Sequence, residues 1–163
     1  MRNWLCALWS SITSLLARNS TAEKQLLSDD ASEAIRMSMK VAGCRNHSYL
    51  GSDHLLMGLI LQKNNHLQEL FREHSVNEND LVIELDRYLT FASSSGKPEP
   101  GKTTRFFDQT IFAAAKAAGI EHKKISSIHL FRGILEARQG VAQFVLKAQG
   151  LNLRKVLISL REQ

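Results

Sequence analysis

Apolar residues recur along most of the chain with the three- and four-residue spacing of helices that bury one face. Between residues 31 and 91 this spacing predicts four helices, and Ser52 is a favourable N-cap for the second of them. No stretch of useful length alternates apolar and polar residues as a half-buried strand does. The pattern therefore predicts an all-α fold, with Leu55 and Leu56 of the second helix in its core.

The helical pattern occurs twice, which indicates an internal repeat. Shifted by 75 residues, the sequence overlays on itself with seven identities and a matching series of apolar positions; the identical pairs are Ala42/Ala117, His47/His122, Ser52/Ser127, His54/His129, Leu55/Leu130, Gly58/Gly133 and Leu85/Leu160. Leu56 falls on Phe131, so Leu130 and Phe131 are also expected in the core. We predict a tandem duplication with copies at 27–91 and 106–163, a flexible linker at 92–105 and an extension at 1–26.

The extension carries a separate amphipathic stripe. Its apolar positions follow one face of a helix and comprise Trp4, Leu5, Leu8, Trp9, Ile12, Leu15 and Leu16. Serine and threonine at positions 10, 11, 13 and 14 interrupt it, so it lacks the run of about 20 apolar residues that spans a membrane. We predict a docking helix within residues 1–20, and its own domain, a partner and a membrane surface all remain open as the place where it docks. The protein is expected in the cytoplasm, with targeting to a plastid or mitochondrion as the alternative, because no acidic residue precedes Glu23.

Composition and charge argue against several kinds of function. The 163 residues carry a formal net charge of +5, with the excess mainly in the second copy, but aromatic residues are not interleaved with the basic ones as nucleic-acid binding would favour. Cys6 and Cys44 are too far apart for a metal or redox motif, and the histidines lack the close spacing of metal pairs on a helix. No nucleophile–base pair or carboxylate pair stands out. We expect no catalytic residues, no bound metal, no cofactor and no nucleic-acid partner.

The string GKPEPGKT at residues 96–103 matches the phosphate-binding P-loop pattern. A working P-loop follows a buried strand and points backbone N–H groups at the phosphates. Here a helical pattern ends near Phe91, the string lies between the two copies, and Pro98 and Pro100 have no N–H group to offer. We interpret the match as accidental.

The segment 46–60, NHSYLGSDHLLMGLI, resembles the signature GHNYIGTEHLLLGLL of the Clp repeat, which occurs twice in the N-terminal domain of Clp-type AAA+ unfoldases. The segment 121–135, EHKKISSIHLFRGIL, is a more divergent second copy. The resemblance covers about residues 27–162. It implies two four-helix copies related by pseudo-twofold symmetry, and a role in binding substrates or adaptors rather than in catalysis.

The resemblance also points to two candidate partner-binding residues. Asp53 stands where the family has a glutamate, and in members that recognise phosphoarginine this acid pairs with the guanidinium group of the ligand. Ile128 holds the equivalent position in the second copy and cannot make that pair. In a groove between the copies, Asp53 would supply a polar anchor and Ile128 an apolar contact. His54 and His129 are expected to be internal hydrogen-bonding residues rather than ligands.

Two classes of function follow. The first is a non-catalytic protein-binding module, a stand-alone accessory or adaptor protein that binds a Clp chaperone–protease or its substrates. The alternative is a structural or regulatory protein that the N-terminal amphipathic helix recruits to a membrane or to another complex.

The interpretation of GKPEPGKT predicts that ATP does not bind at Lys102 and Thr103. Calorimetric titration with ATP and magnesium is expected to give no saturable heat, and Lys102→Ala is expected to give the same trace. Saturable binding that Lys102→Ala abolishes would contradict the interpretation.

Overall fold

The computed structural model describes residues 27–91, 102–121, 123–137 and 140–161. In these ranges the chain forms eight α-helices, and its β-structure is limited to two isolated bridges. The first copy contains α1 (Asp29–Cys44), α2 (Ser52–Leu61), α3 (Asn65–Glu73) and α4 (Glu78–Phe91). The second contains α5 (Arg105–Ile120), α6 (Ser127–Glu136), α7 (Val141–Ala148) and α8 (Leu153–Ser159). The prediction of an all-α fold is confirmed.

The two sets of helices follow the same order with one change of register. Helices α2 and α6 start 75 residues apart, whereas α1 and α5 start 76 apart, because the loop before α6 is one residue shorter than the loop before α2. The backbone N–H groups of His47 and Lys123 donate to the carbonyls of Ala42 and Ala118 in matching turns. The structure therefore aligns Ala42 with Ala118, one residue beyond the Ala117 that a uniform shift selects.

Helix α2 lies at the centre of the molecule. Every residue from 52 to 60 is buried, and the helix contacts α1, α4, α5, α6 and α7. The four residues predicted for the core are fully buried: Leu55, Leu56, Leu130 and Phe131. The Phe131 ring of the second copy meets the Phe71 ring of the first edge to face, with centroids 5.6 Å apart. The two copies therefore share one core.

Two glycines set the closest approaches between helices. A Cβ atom on Gly58 would lie 2.4 Å from the carbonyl oxygen of Ala34 in α1, and one on Gly133 would lie 2.3 Å from the carbonyl oxygen of Thr110 in α5. Backbone atoms in the middle of a helix cannot yield to such a contact. The glycines allow α1 to pack directly on α2 and α5 on α6.

The start of α2 differs from the prediction by one residue. Gly51 is the N-cap and Ser52 is the first helical residue. The backbone of Gly51 is extended, with φ of −109° and ψ of 171°, so this position does not need glycine for a left-handed turn. A Cβ atom there would lie 2.1 Å from Asp53 Oδ1, so glycine lets the Asp53 carboxylate keep its position over the helix start.

A reciprocal exchange of backbone hydrogen bonds joins the two copies. Before α1, the Ser28 N–H donates to the Ile125 carbonyl of the second copy at 2.9 Å. Before α5, the Thr104 N–H donates to the Leu50 carbonyl of the first copy, and the Leu50 N–H donates to the Lys102 carbonyl, both at 2.9 Å. The residues directly before the first helix of each copy form its entry segment. Each entry segment thus pairs with the loop that precedes the second helix of the other copy, as a pseudo-twofold relation requires.

The central position of α2 predicts a large effect of truncating its core face. Leu56→Ala is expected to lower the free energy of unfolding by about 2–5 kcal/mol, because it empties a fully buried site. Leu61, the last residue of the same helix, is 43% exposed, so Leu61→Ala is the matched control with an expected change within about 0.5 kcal/mol. Urea denaturation followed by circular dichroism measures both. An equally small loss in both variants would mean that α2 does not organise the core.

Candidate partner-binding pocket

A pocket of about 330 Å³ opens where the first copy meets the start of α6. The first copy contributes Asp30, Asn64 and His66 to its lining. The second copy contributes the remaining lining residues, which are Glu121, Lys123, Lys124, Ser126, Ile128, His129, Arg132 and Leu160. Two side chains are aliphatic and the others are polar or charged, so the pocket combines a small apolar surface with a strongly polar surround.

Asp30 forms part of the pocket by capping a helix of the other copy. Its Oδ2 accepts hydrogen bonds from the backbone N–H of Ser127 at 3.0 Å and from the Ser127 hydroxyl at 2.5 Å, while Oδ1 accepts one from the Ser28 hydroxyl. Burial raises the pKa of Asp30, but the hydrogen bonds from Ser127 and Ser28 outweigh burial, so the pKa falls below the ordinary 3.8. The carboxylate is therefore ionised at neutral pH and faces the positive end of the α6 dipole.

Glu121 draws together cationic side chains of the second copy. Its Oε2 lies 3.1 Å from His129 Nε2 and 3.3 Å from Lys123 Nζ, and its Oε1 accepts a hydrogen bond from Arg132 Nη1 at 3.1 Å. Burial raises the pKa of Glu121, and the contacts with His129 and Lys123 outweigh burial to lower it overall. Lys124 is exposed and has no carboxylate partner in the part of the chain that the structure describes. Lys124 thus leaves an uncompensated positive charge at the pocket.

The two site residues predicted from the sequence lie in different surroundings. Ile128, the second residue of α6, is half-buried and lines the pocket. Asp53, the second residue of α2, is 9% exposed and does not line this pocket. Burial raises the pKa of Asp53, but the adjacent His54 ring and the backbone N–H groups at the start of α2 lower it overall. The structure therefore brings Ile128, and not Asp53, to this pocket.

The equivalent place in the first copy is filled by protein. Phe106 takes the position that corresponds to Asp30, and Gly140 lies against it. A Cβ atom on Gly140 would come within 3.2 Å of Ser52 Oγ and 3.7 Å of Cγ in the Phe106 ring, and the φ of 125° at Gly140 also favours glycine. The Phe106 ring therefore packs over the start of α2. The start of α6, where Asp30 takes the equivalent position, remains open.

The motif histidines make internal hydrogen bonds, as predicted. His54 Nδ1 accepts a hydrogen bond from the Gly51 N–H at 3.0 Å, and His129 Nδ1 accepts one from the Ser126 N–H at 3.1 Å. Each histidine is the third residue of its helix, where glutamate or glutamine returns the same bond in a capping box. The histidines therefore hold the helix starts in place.

The end of the P-loop-like string lies at the contact between the copies. We call this contact the seam; it contains the backbone hydrogen bonds of Ser28, Leu50 and Thr104. The Lys102 carbonyl accepts the Leu50 N–H, and the Thr103 hydroxyl donates to Asp108 Oδ1 at 2.6 Å. The Thr104 side chain accepts the Phe107 N–H and so caps α5. Residues 92–101, which hold the rest of the string, lie outside the described residues.

Asp30, Asn64 and Lys124 are among the pocket residues that were not singled out from the sequence. A signal existed for Lys124, because segment 121–135 has charged residues at Glu121, Lys123, Lys124 and Arg132, where segment 46–60 has uncharged ones. Asp30 and Asn64 belong to the first copy and lie at the pocket because both hydrogen-bond to Ser127 of the second copy. The spacing of residues within one copy does not reveal such contacts.

The model of the Clp repeat (R) N-terminal domain family matches residues 26–149. The chain belongs to this family. Its fold is that of the Clp N-terminal domain, a protein-interaction module of Clp and Hsp104 ATPases.

Comparison with individual Clp proteins agrees with this membership. A probable ATP-dependent Clp protease ATP-binding subunit of Chlamydia pneumoniae is 27% identical over 127 residues, which cover 77% of this chain and 15% of that protein. ClpC of Staphylococcus aureus (strain USA300), an ATP-dependent Clp protease ATP-binding subunit, is 23% identical over 144 residues, which cover 86% of this chain and 16% of that protein. The chain therefore spans less than a fifth of the length of these curated relatives.

Structures of Clp N-terminal domains match the fold closely. The Hsp104 N-terminal domain of Candida albicans gives a TM-score of 0.72 at 18% identity, covering 83% of this chain and 89% of that one. The N-terminal domain of the chaperone ClpD from Arabidopsis thaliana gives a TM-score of 0.68 at 18% identity, covering 88% and 97%. At this identity the likeness establishes the fold alone.

The residues predicted for the docking helix, Trp4, Leu8, Trp9, Ile12, Leu15 and Leu16, lie outside the described residues of this Clp-repeat chain. Among the helices that are described, none is both long and apolar enough to cross a membrane. In the same ranges no group of three or more His, Cys, Asp or Glu side chains is placed to hold a metal ion.

The Asp30 contacts predict that the stability of the contact between the copies depends on ionisation of the Asp30 carboxylate. Asp30→Asn is expected to lower the free energy of unfolding at pH 7 by about 1.5–3 kcal/mol, the usual range for hydrogen bonds to a charged group. Because the folded-state pKa of Asp30 is lowered, its contribution is complete above pH 3.8 and is lost as the pH falls through the folded-state value. Urea denaturation at a series of pH values should therefore show that the difference in free energy of unfolding between wild type and Asp30→Asn decreases as the pH falls.

Asp29→Asn is the control for Asp30→Asn, because Asp29 is exposed at the first turn of the same helix. It is expected to change the free energy of unfolding by at most about 0.5 kcal/mol. A cost of Asp30→Asn that equals this control, or that persists unchanged below pH 3, would contradict the role of the ionised carboxylate.

Proposed function

We propose that this chain is a non-catalytic protein-binding module, working as a stand-alone accessory or adaptor protein that binds a Clp chaperone–protease or its substrates. Membership of the Clp N-terminal domain family supports the binding role. The names of the curated relatives, which are ATP-binding subunits of Clp proteases, support the Clp machine as the partner.

The observation that carries the proposal is the pocket at the start of α6. Its volume of about 330 Å³ suits one or two side chains of a polypeptide better than a whole folded surface. Ile128 and Leu160 offer an apolar contact, and the polar groups around them can orient a peptide. A segment with an apolar residue that enters the pocket, flanked by polar residues on its rim, fits this lining.

The charges at the pocket select the flanking residues. Asp30 and Glu121 are both occupied by hydrogen bonds within the protein, whereas Lys124 is exposed. The accessible charge is therefore positive and favours segments with an acidic residue next to the apolar one. An anchor at Asp53, as the sequence predicted, would favour apolar or basic segments instead. With its low exposure, Asp53 is kept as a weaker candidate contact, and Ile128 as the stronger one.

Short labelled peptides with one leucine and acidic, neutral or basic flanks test this selectivity by fluorescence anisotropy. Ile128→Glu is expected to weaken binding of the acidic peptide by about tenfold or more, because it places a like charge at the apolar contact. Lys124→Glu is expected to weaken it by about threefold to tenfold, less so at high salt. Lys155→Glu makes the same charge change at an exposed site on α8 away from the pocket lining, and should leave affinity nearly unchanged.

Affinity capture from the native cells tests the partner. Wild type and Lys155→Glu are expected to recover Clp ATPase or protease subunits or their substrates, and Ile128→Glu to lose them. Equal recovery by all three proteins would place the working surface elsewhere. Recovery without any Clp component or known Clp substrate would contradict the adaptor role.

A further inference from the structure

The first copy contains a buried pair of histidines that the proposed binding function does not use. His47 Nδ1 lies 2.6 Å from His54 Nε2, and both side chains are fully buried. The Tyr49 ring stacks on His47 with centroids 5.7 Å apart and meets His54 edge on at 5.8 Å. The pair connects the loop before α2 to the first turn of that helix.

The hydrogen bonds fix the position of each proton. His54 Nδ1 accepts the Gly51 N–H, so this nitrogen carries no hydrogen and the proton lies on Nε2. His54 Nε2–H then donates to His47 Nδ1, which leaves the proton of His47 on its own Nε2. That Nε2 is buried with no acceptor in good hydrogen-bond geometry in the described part of the chain, and the backbone of Leu89 is the polar group that faces His47. The observed arrangement therefore contains two neutral rings in one defined tautomer each.

A further proton cannot enter this arrangement without breaking it. On His47 it would have to occupy Nδ1 and would oppose the Nε2–H of His54. On His54 it would have to occupy Nδ1, where Asp53 Oδ1 at 3.2 Å would accept it and the Gly51 N–H would lose its acceptor. Gly51 has no side chain that could replace the lost cap. Either site of protonation therefore removes a hydrogen bond that holds the start of α2.

The charged groups around the pair do not remove this conflict. On α2 the facing groups are Asp53, which favours a cationic ring, and His54 itself; in the loop they are Arg45, which opposes a cationic ring, and Tyr49. From α4 the backbone of Leu89 faces His47, and Asp86 is paired with Arg45. Burial lowers the pKa of His47 from its ordinary 6.5, and His54 lowers it further. The neutral pair is thus the form that the fold stabilises.

The motif histidine of the second copy has different partners. His129 Nδ1 also accepts a backbone N–H, but the Ser126 hydroxyl lies 2.7 Å from the same nitrogen and can accept a proton placed there. His129 Nε2 faces the carboxylate of Glu121 at 3.1 Å instead of a second histidine. A cationic His129 would keep partners on both nitrogens.

We propose that the His47–His54 pair is an acid-sensitive latch that releases the loop 45–51 and the start of α2 when the pair takes up a proton. The loop includes Leu50, whose backbone pairs with Lys102 and Thr104, so release of the latch also loosens the seam to the second copy. For a histidine whose folded-state pKa is lowered, the stabilisation is complete above pH 6.5 and is lost as the pH falls through the folded-state value.

Amide hydrogen exchange of the full chain tests the latch. Because the open form binds one more proton, the opening equilibrium at Leu50, Gly51 and Thr104 should rise by up to about tenfold per pH unit below 6.5, after correction for intrinsic exchange. His54→Gln should reduce this pH dependence and keep the cap, because it removes one of the two rings and glutamine at this position can accept the N-cap N–H. His129→Gln, the equivalent change in the second copy, should leave the pH dependence of the first copy intact.

Nitrogen-15 spectra of the wild-type imidazole rings provide a test that needs no variant. They should show both rings protonated on Nε2 alone at pH 7.5, with protonation below pH 6.5 accompanied by loss of protection at Gly51. Doubly protonated rings with full protection would overturn the proposal. So would unchanged exchange between pH 7.5 and 5.5, or a pH response in His54→Gln as large as that of the wild type.

Discussion

The first backbone N–H groups of a helix have no acceptor within the helix, because no turn precedes them. Both copies bury the beginning of their second helix, so these N–H groups must find acceptors inside the protein. Each copy meets this requirement first with a histidine at the third helical position, which accepts the N-cap N–H. It then adds a carboxylate: Asp53 from within α2 itself, and Asp30 from the opposite copy for α6. The seam, the pocket and the histidine pair all result from how these few N–H groups are satisfied.

The duplication keeps the helices and changes the chemistry at their starts. Where the first copy has glycine, aspartate and a second histidine, the second has serine, isoleucine and a glutamate. The small N-cap glycine makes room for the Asp53 carboxylate, and the chain closes over Ser52 with Phe106 and Gly140. At α6 the carboxylate comes from outside the copy, so the apolar side chain of Ile128 is free to line a pocket. One backbone plan therefore yields a closed site and an open one.

The sequence predicted the features that depend on periodicity. The helices and the core positions Leu56 and Phe131 follow from the spacing of apolar residues, and the repeat follows from the recurrence of that spacing. The pocket depended on contacts between residues 97 positions apart, such as Asp30 and Ser127, which no local pattern encodes. The space that Gly51 leaves for the Asp53 carboxylate is likewise a contact in three dimensions, which the presence of a glycine in the sequence does not specify.

The reciprocal pairing of the entry segments has a consequence for how such a chain can be divided. Each copy alone would expose the backbone groups of Leu50 or Ile125 and the apolar face that Phe71 and Phe131 cover. Two separate copies could satisfy these groups only by meeting face to face, each giving its entry segment to the other, which is the geometry of an isologous dimer. The present chain holds that dimer in a single polypeptide, and the covalent link lets its two halves carry different side chains at equivalent places.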